Sequence, residues 1–247
     1  MAEPDGGSGR IPPEREVGTS PAPPSLEALR NALAVGRRHF PGLSLQGVDG
    51  VDLDLSDCDL RDGSFTEARF GHARLCGADV GGSGFQRALI WGADLSGLRA
   101  RASGWHEADL SGCRLQAADF SEAQLHRACL QGVLAAESVW RGASLVEADF
   151  RSGLDQLTDL GRADLQGADL CFARFDGAVM RQADLRACRL YGSDFSGADL
   201  SGADLRDCDL RHALLRGTRL VQARLEGARL PLLSAPLDRD AGVDPAD

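Results

Sequence analysis

The sequence predicts an all-β solenoid assembled from five-residue units, with one short α-helix in front of it. Two observations lead to this fold class. A large apolar residue recurs at almost every fifth position from Phe40 to Leu230, and a small residue precedes most of these by two positions. A period of five matches neither an α-helix, at about 3.6 residues per turn, nor an ordinary strand, at about 2. Stacked coils, which bury a continuous core that no single unit can bury alone, satisfy this period.

The N-terminal region divides into two segments. Residues 1–24 are rich in Pro, Gly, Ser and Glu, and are predicted to be disordered because they bury too little to offset their ordering entropy. Ser25 then suits the N-cap of an amphipathic helix over about residues 25–37, with Gly36 as its stop. The leucines of this helix share one face that needs covering: Leu26, Leu29 and Leu33.

The repeat unit is plain in the stretch Ala198-Asp199-Leu200-Ser201-Gly202. The small and the large residue lie two apart, so both side chains point to the same side of an extended segment. Where the large position holds a small residue, its partner is large, which conserves volume as a close-packed interior requires. These compensated pairs are Val48 with Gly50, Leu98 with Ala100, and Val133 with Ala135.

One unit fails this rule. Gly153 and Asp155 occupy both inward positions, while Leu154 and Leu157 stand where polar residues belong. An unpaired carboxylate in the core would be costly. The sequence therefore predicts a local distortion there, although the five-residue phase continues on both sides of it.

The order small residue, Asp, Leu or Phe, then two variable residues resembles the pentapeptide repeat family over roughly residues 40–230. The resemblance implies a right-handed quadrilateral β-helix with four repeats, or 20 residues, per coil. Residues 20 apart then stack, which predicts two aromatic columns. We expect the helix to cap the first coil, and residues 231–247 to form a C-terminal cap and a flexible acidic tail, so that both strand edges are protected. The predicted columns are Phe65, Phe85 and Trp105, and Phe175 with Phe195; the predicted capping leucines are Leu232 and Leu233.

Composition excludes several function classes. The formal net charge is −10, the pI is near 5.0, and all 27 basic residues are arginine. An acidic balance argues against direct binding of nucleic acid or anionic membranes. Because no apolar run approaches the length of a membrane span and no signal pattern opens the chain, we expect a cytoplasmic protein. The 7 cysteines have no metal-site spacing and are predicted to be reduced, including Cys188 and Cys208 on adjacent coils.

The sequence carries no catalytic constellation. A glycine-rich phosphate loop, an HExxH motif and a GxSxG motif are all missing. His106 and His126 are expected to stack on the surface without an obvious third metal ligand. Each Asp before a Leu is interpreted as turn chemistry, in which a short carboxylate accepts from nearby backbone N–H groups. The prediction is a protein that is not an enzyme and has no cofactor and no metal.

The exterior offers three candidate partner-binding features. Aspartates cluster at the start of the rod, arginines recur every second coil with Gly or Ser between them, and two exposed aromatic residues are expected on one common face. These candidates are Asp49, Asp52, Asp54, Asp57, Asp59 and Asp62; Arg61, Arg101, Arg141 and Arg181; and Trp91 with Tyr191. A further set of alternating sign is predicted to form an ion-pair ladder: Glu67, Arg87, Glu107, Arg127 and Glu147.

Two functions stay open. The resemblance implies that an acidic rod of this family can mimic DNA, bind a type II topoisomerase such as DNA gyrase and confer resistance to its inhibitors. Against this, residues 45–230 carry 28 acidic residues and 21 arginines, a net of −7, whereas a duplex about 45 Å long carries roughly 26 negative charges. The alternative is a general protein–protein interaction scaffold with an unidentified partner. Because the acidic start and the arginine-rich end are complementary, a homodimer is an open form of assembly.

Overall fold

The computed structural model describes Pro23 and residues 25–153 and 155–231. Its helix, α1, spans Leu26–Ala34, with Ser25 as the N-cap, whose Oγ accepts from the Ala28 amide at 3.2 Å. The helix ends three residues earlier than predicted. Gly36 adopts a φ of +85°, and the Arg37 amide donates to the Ala32 carbonyl, so the chain reverses in a glycine-terminated cap.

Helix α1 covers the first coil of the rod. Leu29 is fully buried, while Leu26, Ala32 and Leu33 are partly buried against the core. The apolar face predicted from the sequence therefore packs on the open end of the first coil. This contact shields backbone groups and apolar side chains that would otherwise offer an edge to other chains.

From His39 onward the chain forms a four-sided rod of parallel bridges. Most bridges join residues 20 apart, as His39 with Asp59 and Ser44 with Ser64. Each side of a coil contributes one bridged residue, so the described residues contain isolated bridges and no longer strand. The bridged residues form four columns, and each column marks one face of the rod. Face 1 runs from Ser44 to Arg229, face 2 from Asp49 to Leu214, face 3 from Asp54 to Arg219, and face 4 from His39 to Arg224. At about 4.8 Å per coil, the rod is about 43 Å long.

A tight turn at each edge joins one face to the next. In a representative turn, the Ala78 amide donates to the Leu75 carbonyl at 3.1 Å, and Gly77 has a φ of +65°. Positive φ at the third residue is the feature of a type II turn. The aspartate that precedes the large residue supports the turn, as Asp54 Oδ1 accepts from the Ser56 amide at 3.0 Å. The interpretation of these aspartates as turn residues is confirmed.

The interior is a continuous stack of buried side chains. Both predicted aromatic columns are present: ring centroids are 4.8 Å apart for Phe65 and Phe85, 4.1 Å for Phe85 and Trp105, and 4.9 Å for Phe175 and Phe195. Trp105 meets Phe120 edge-to-face at 5.6 Å, and Phe120 stacks on Trp140. Trp140 in turn meets Phe150 edge-to-face at 5.9 Å, and Phe150 stacks on Phe175. The aromatic rings therefore form one connected chain inside most of the rod.

Two buried tryptophans each have a serine that satisfies the indole N–H. Trp140 Nε1 donates to Ser138 Oγ at 2.6 Å, and this hydroxyl donates to the Ala135 carbonyl at 2.6 Å. Trp105 repeats the arrangement with Ser103. A buried polar group costs little only when it is hydrogen-bonded. Serine rather than alanine at these two inward positions is thereby explained.

The predicted distortion is an extra five-residue unit. Bridges on the two sides of it join residues 20 apart, but those that cross it join residues 25 apart, as Leu134 with Asp159 and Asp149 with Arg174. Residues 155–157 are exposed at the edge between faces 2 and 3. The inward position passes to Thr158, which is fully buried and donates to the Arg151 carbonyl at 2.9 Å.

The expectation of strict 20-residue stacking along the whole rod is wrong. The extra unit moves every later residue by one face relative to the face that a 20-residue spacing predicts. Pairs that lie entirely on one side of the unit keep their predicted stacking. The expected N-terminal disorder (apart from Pro23) and the expected C-terminal cap at Leu232 and Leu233 fall outside the described residues.

Within residues 25–153 and 155–231, no helix has both the length and the apolar character of a membrane span.

Candidate functional site

The six aspartates at the start of the rod form a collar, not a patch. Three are bridged residues on faces 2, 3 and 4, and each of the other three lies on the edge that follows one of these faces, so together they wind around one coil. The face residues are Asp49, Asp54 and Asp59, and the edge residues are Asp52, Asp57 and Asp62. The edge residues make no ion pair with any described residue.

Asp59 is the most strongly held member of the collar. Arg61 donates to both of its oxygens, at 2.8 and 2.7 Å, and His39 Nδ1 lies 2.9 Å from Oδ2. The hydrogen bond from Arg61 lowers the pKa of the Asp59 carboxyl to about 2. This carboxylate is therefore already paired with side chains of the rod itself, Arg61 and His39.

The predicted arginine stripe is correct for three of its members. Arg61, Arg101 and Arg141 lie on the edge between faces 4 and 1, whereas Arg181 lies on the edge between faces 3 and 4 because the extra unit precedes it. The same edge continues instead with Arg186 and Arg206. Sequence reasoning missed these two arginines, and the anomalous Gly153 and Asp155 were the signal that could have found them.

Beside this arginine edge lies the column of face 4, which is the most acidic on the rod. It holds six aspartates, and each is within ion-pair distance of an arginine. The pairs are Asp59 with Arg61 (2.7 Å), Asp79 with Arg99 (3.4 Å), Asp119 with Arg101 (3.8 Å), Asp164 with Arg141 (2.6 Å), Asp184 with Arg186 (2.6 Å) and Asp204 with Arg206 (2.6 Å). We call this arrangement the Asp–Arg zipper. It neutralises the face that would otherwise carry the strongest negative field.

The zipper predicts a loss of stability in acid. The pKa of Asp59 and that of Asp209, which Arg211 holds in the same way, are each lowered to about 2 by hydrogen bonds from arginine. A carboxyl with a pKa of about 3.9 in the unfolded chain thus stabilises the folded state above about pH 4, and this contribution is lost as the pH falls through about 2. Calorimetry from pH 7 to pH 2 is expected to show a midpoint that declines below about pH 4. A midpoint unchanged down to pH 2 would contradict the pairing.

The predicted ladder of alternating charge lies on the edge between faces 1 and 2, and three of its four neighbouring pairs are ion pairs; Arg87 and Glu107 do not form one. Arg87 lies 3.0 Å from Glu67, and Arg127 lies 3.2 Å from Glu107 and 3.7 Å from Glu147. All of these side chains are well exposed, so each pair contributes no more than about 1 kcal/mol.

The two aromatic candidates do not share a face. Trp91 lies on the edge between faces 2 and 3, is 40% exposed and contacts the His72 ring at 4.5 Å. Tyr191 lies on the edge between faces 1 and 2, displaced by the extra unit, and is only partly exposed. The rings of Phe172, at 5.6 Å, and His212, at 5.0 Å, flank it. The expectation of a common exposed face is therefore wrong.

Cysteine and histidine add no reactive centre among the described residues. Cys188 and Cys208 are unpaired, and their thiols donate to the carbonyls of Leu165 and Leu185 at 2.9 and 2.8 Å. Burial raises the pKa of the Cys113 thiol to about 12. His106 and His126 stack with ring centroids 6.4 Å apart, and no group of three candidate metal ligands occurs in the described part of the chain.

A four-sided rod with a packed interior and a charged, aromatic exterior defines a repeat protein of the β-solenoid class. The family model for pentapeptide repeats matches in 8 copies, over residues 54–92, 106–134, 163–202 and 193–230. The chain belongs to the pentapeptide repeat family, and its fold is the right-handed quadrilateral β-helix.

The solved structure of HetL agrees with this assignment. HetL, a pentapeptide repeat protein involved in heterocyst differentiation regulation from the cyanobacterium Nostoc sp. strain PCC 7120, is 31% identical, with a TM-score of 0.70 over 84% of this chain and 93% of HetL. QnrB1, a plasmid-mediated fluoroquinolone resistance protein, is 21% identical, with a TM-score of 0.47 over 78% of this chain and 93% of that one. No curated protein sequence matches the chain.

Proposed function

We propose that this protein is a non-catalytic scaffold that binds a protein partner through its exterior. The observation that carries the proposal is the filled interior: inward side chains from Phe40 to Leu210 are almost all fully buried, so chemically distinct groups stand only on the outside. A rigid rod holds such groups at fixed spacing, which lowers the ordering cost of binding. Similarity to HetL, which is involved in regulation, supports a role exerted through association.

DNA mimicry towards a type II topoisomerase is the second candidate. The six aspartates of face 4 favour it, because they line one side of a rod of duplex-like length. The zipper weakens it, since every one of these carboxylates is paired with an arginine. A duplex about 43 Å long presents roughly 25 phosphates. The paired column of face 4 falls far short of that field, so the geometry supports the general scaffold best.

Two assays on the full chain test the proposed function. Cross-linking followed by mass spectrometry in the source cells is expected to recover a defined protein partner, at least tenfold enriched over an unrelated rod-shaped bait. Failure to recover any partner overturns the scaffold proposal. In parallel, the supercoiling activity of purified DNA gyrase is expected to stay unchanged by the chain. Inhibition, or relief from a topoisomerase inhibitor, would instead establish the second candidate.

A further inference from the structure

An exposed aromatic cluster lies near the C-terminal end of the rod, on the edge between faces 1 and 2. Phe172, Tyr191 and His212 stand on successive coils, and the Arg211 guanidinium lies 5.9 Å from the Tyr191 ring centroid. Leu214 follows on the adjoining face 2. Phe172 is 52% exposed and Leu214 is 55% exposed. We call these five residues the aromatic ridge.

Phe172 occupies a position that its side chain does not favour. Its φ is +59°, in the left-handed region, where Gly192 stands one coil later with a φ of +68°. Among the described non-glycine residues with positive φ, it is the one apolar side chain larger than alanine. The ring lies so close over Gly192 that a Cβ there would be 2.7 Å from it. A bulky exposed residue held in a strained conformation contributes little to folding and is typical of a binding surface.

Arginines beside the ridge are available to an acidic ligand. Arg216 and Arg229 both belong to the last coil and are exposed. Arg216 lies on the edge between faces 2 and 3, and Arg229 lies on face 1. Neither makes an ion pair with any described residue, unlike the arginines of the zipper. Asp209 is the bridged neighbour of Arg229, but residues 211–231 carry five arginines and one acidic residue, so in a chain with a net charge of −10 this end presents net positive charge next to exposed apolar rings.

We propose that the aromatic ridge binds a short acidic segment of the partner protein. An apolar or aromatic side chain of that segment packs on Phe172 and Leu214, and its carboxylates lie against Arg216 and Arg229. Aromatic and arginine side chains side by side are the composition of interface hot spots. This inference rests on the proposed scaffold function and adds the surface and the chemistry of the partner.

Selection of peptides from a random 12-residue display library on the immobilised full chain tests the proposal. The wild-type chain is expected to enrich sequences that combine several Asp or Glu residues with Leu or an aromatic residue. Affinity of the selected peptides, measured by fluorescence anisotropy, is expected to fall at least tenfold for Phe172→Asn with Leu214→Ser, and for Arg216→Ser with Arg229→Ser. Asparagine tolerates positive φ, so the first variant is expected to fold.

Trp91→Ser is the matched control, because it removes an exposed aromatic residue elsewhere on the rod and is expected to keep full affinity. Equal loss in this control, equal binding by the ridge variants, or enrichment of basic or uncharged peptides would overturn the proposal. So would a tenfold gain in affinity for a chain ending at Pro231, since residues 232–247 would then be the occupant. If the ridge variants still recover the same cellular partner as wild type, the ridge proposal fails while the scaffold function stands.

Discussion

Replacing Trp140 with alanine is expected to lower the free energy of unfolding by about 4 kcal/mol. The Trp140 side chain is fully buried, stacks on Phe120 at 4.5 Å and meets Phe150 edge-on at 5.9 Å. Its removal leaves a cavity that the neighbouring coils cannot close without breaking their own bridges. It also removes the indole donor that Ser138 accepts. Denaturant-induced unfolding followed by circular dichroism measures the loss.

Trp91→Ala is the control for this substitution. Trp91 is 40% exposed and packs on the surface against His72 and Gly71, so its removal is expected to cost about 1 kcal/mol. Ser138→Ala is expected to fall between the two, at about 1–3 kcal/mol, because it leaves the buried indole N–H without its acceptor. Equal costs for Trp140→Ala and Trp91→Ala would contradict a continuous aromatic core.

Deleting residues 153–157 is expected to leave a folded rod, whereas deleting residues 153–156 is expected to disrupt it. Removing all five joins Ser152 directly to Thr158, which already fills the small inward position, with Leu160 next in phase. Removing four leaves one surplus residue between two tight turns. That residue either protrudes as a bulge or moves the following side chains out of the core.

Thermal unfolding distinguishes the two deletions. The five-residue deletion is expected to keep the midpoint within a few degrees of wild type. The four-residue deletion is expected to lower it by about 5–10 °C, since a loss of about 2–3 kcal/mol shifts the midpoint by about that much in a chain of this size. Similar midpoints for both deletions would show that the five-residue phase does not control the packing here.

The five-residue phase could be predicted from the sequence because it is a local property. Ala198 and Leu200 point inward whatever the coil contains, since residues two apart in an extended segment share a side. The same reasoning identified the helix after Ser25 and the fault at Gly153 and Asp155. In each case, neighbouring residues along the chain carry the signal.

The number of units per coil is a different kind of property. It depends on how the sides close around the core, and a five-residue insertion leaves the phase intact while shifting every later residue by one face. For that reason Arg181 and Tyr191 were assigned to the wrong edges, and Arg186, Arg206 and Phe172 were missed. The pairing of the face 4 aspartates was missed as well. Three of the arginines stand only two residues after their aspartate, which is a local signal, and the other three lie on an adjacent coil.

Disulfide formation between engineered cysteines tests the displaced stacking most directly. Ser144 and Asp169 are bridged neighbours on face 1, and neighbouring strands about 4.8 Å apart lie within the range that a disulfide spans. Under mild oxidation, Ser144→Cys with Asp169→Cys is expected to cross-link, as read by mass spectrometry of the proteolysed chain. Ser144→Cys with Asp164→Cys, which strict 20-residue stacking would pair, is expected to stay reduced. Cross-linking of the second pair and not the first would contradict the structure described here.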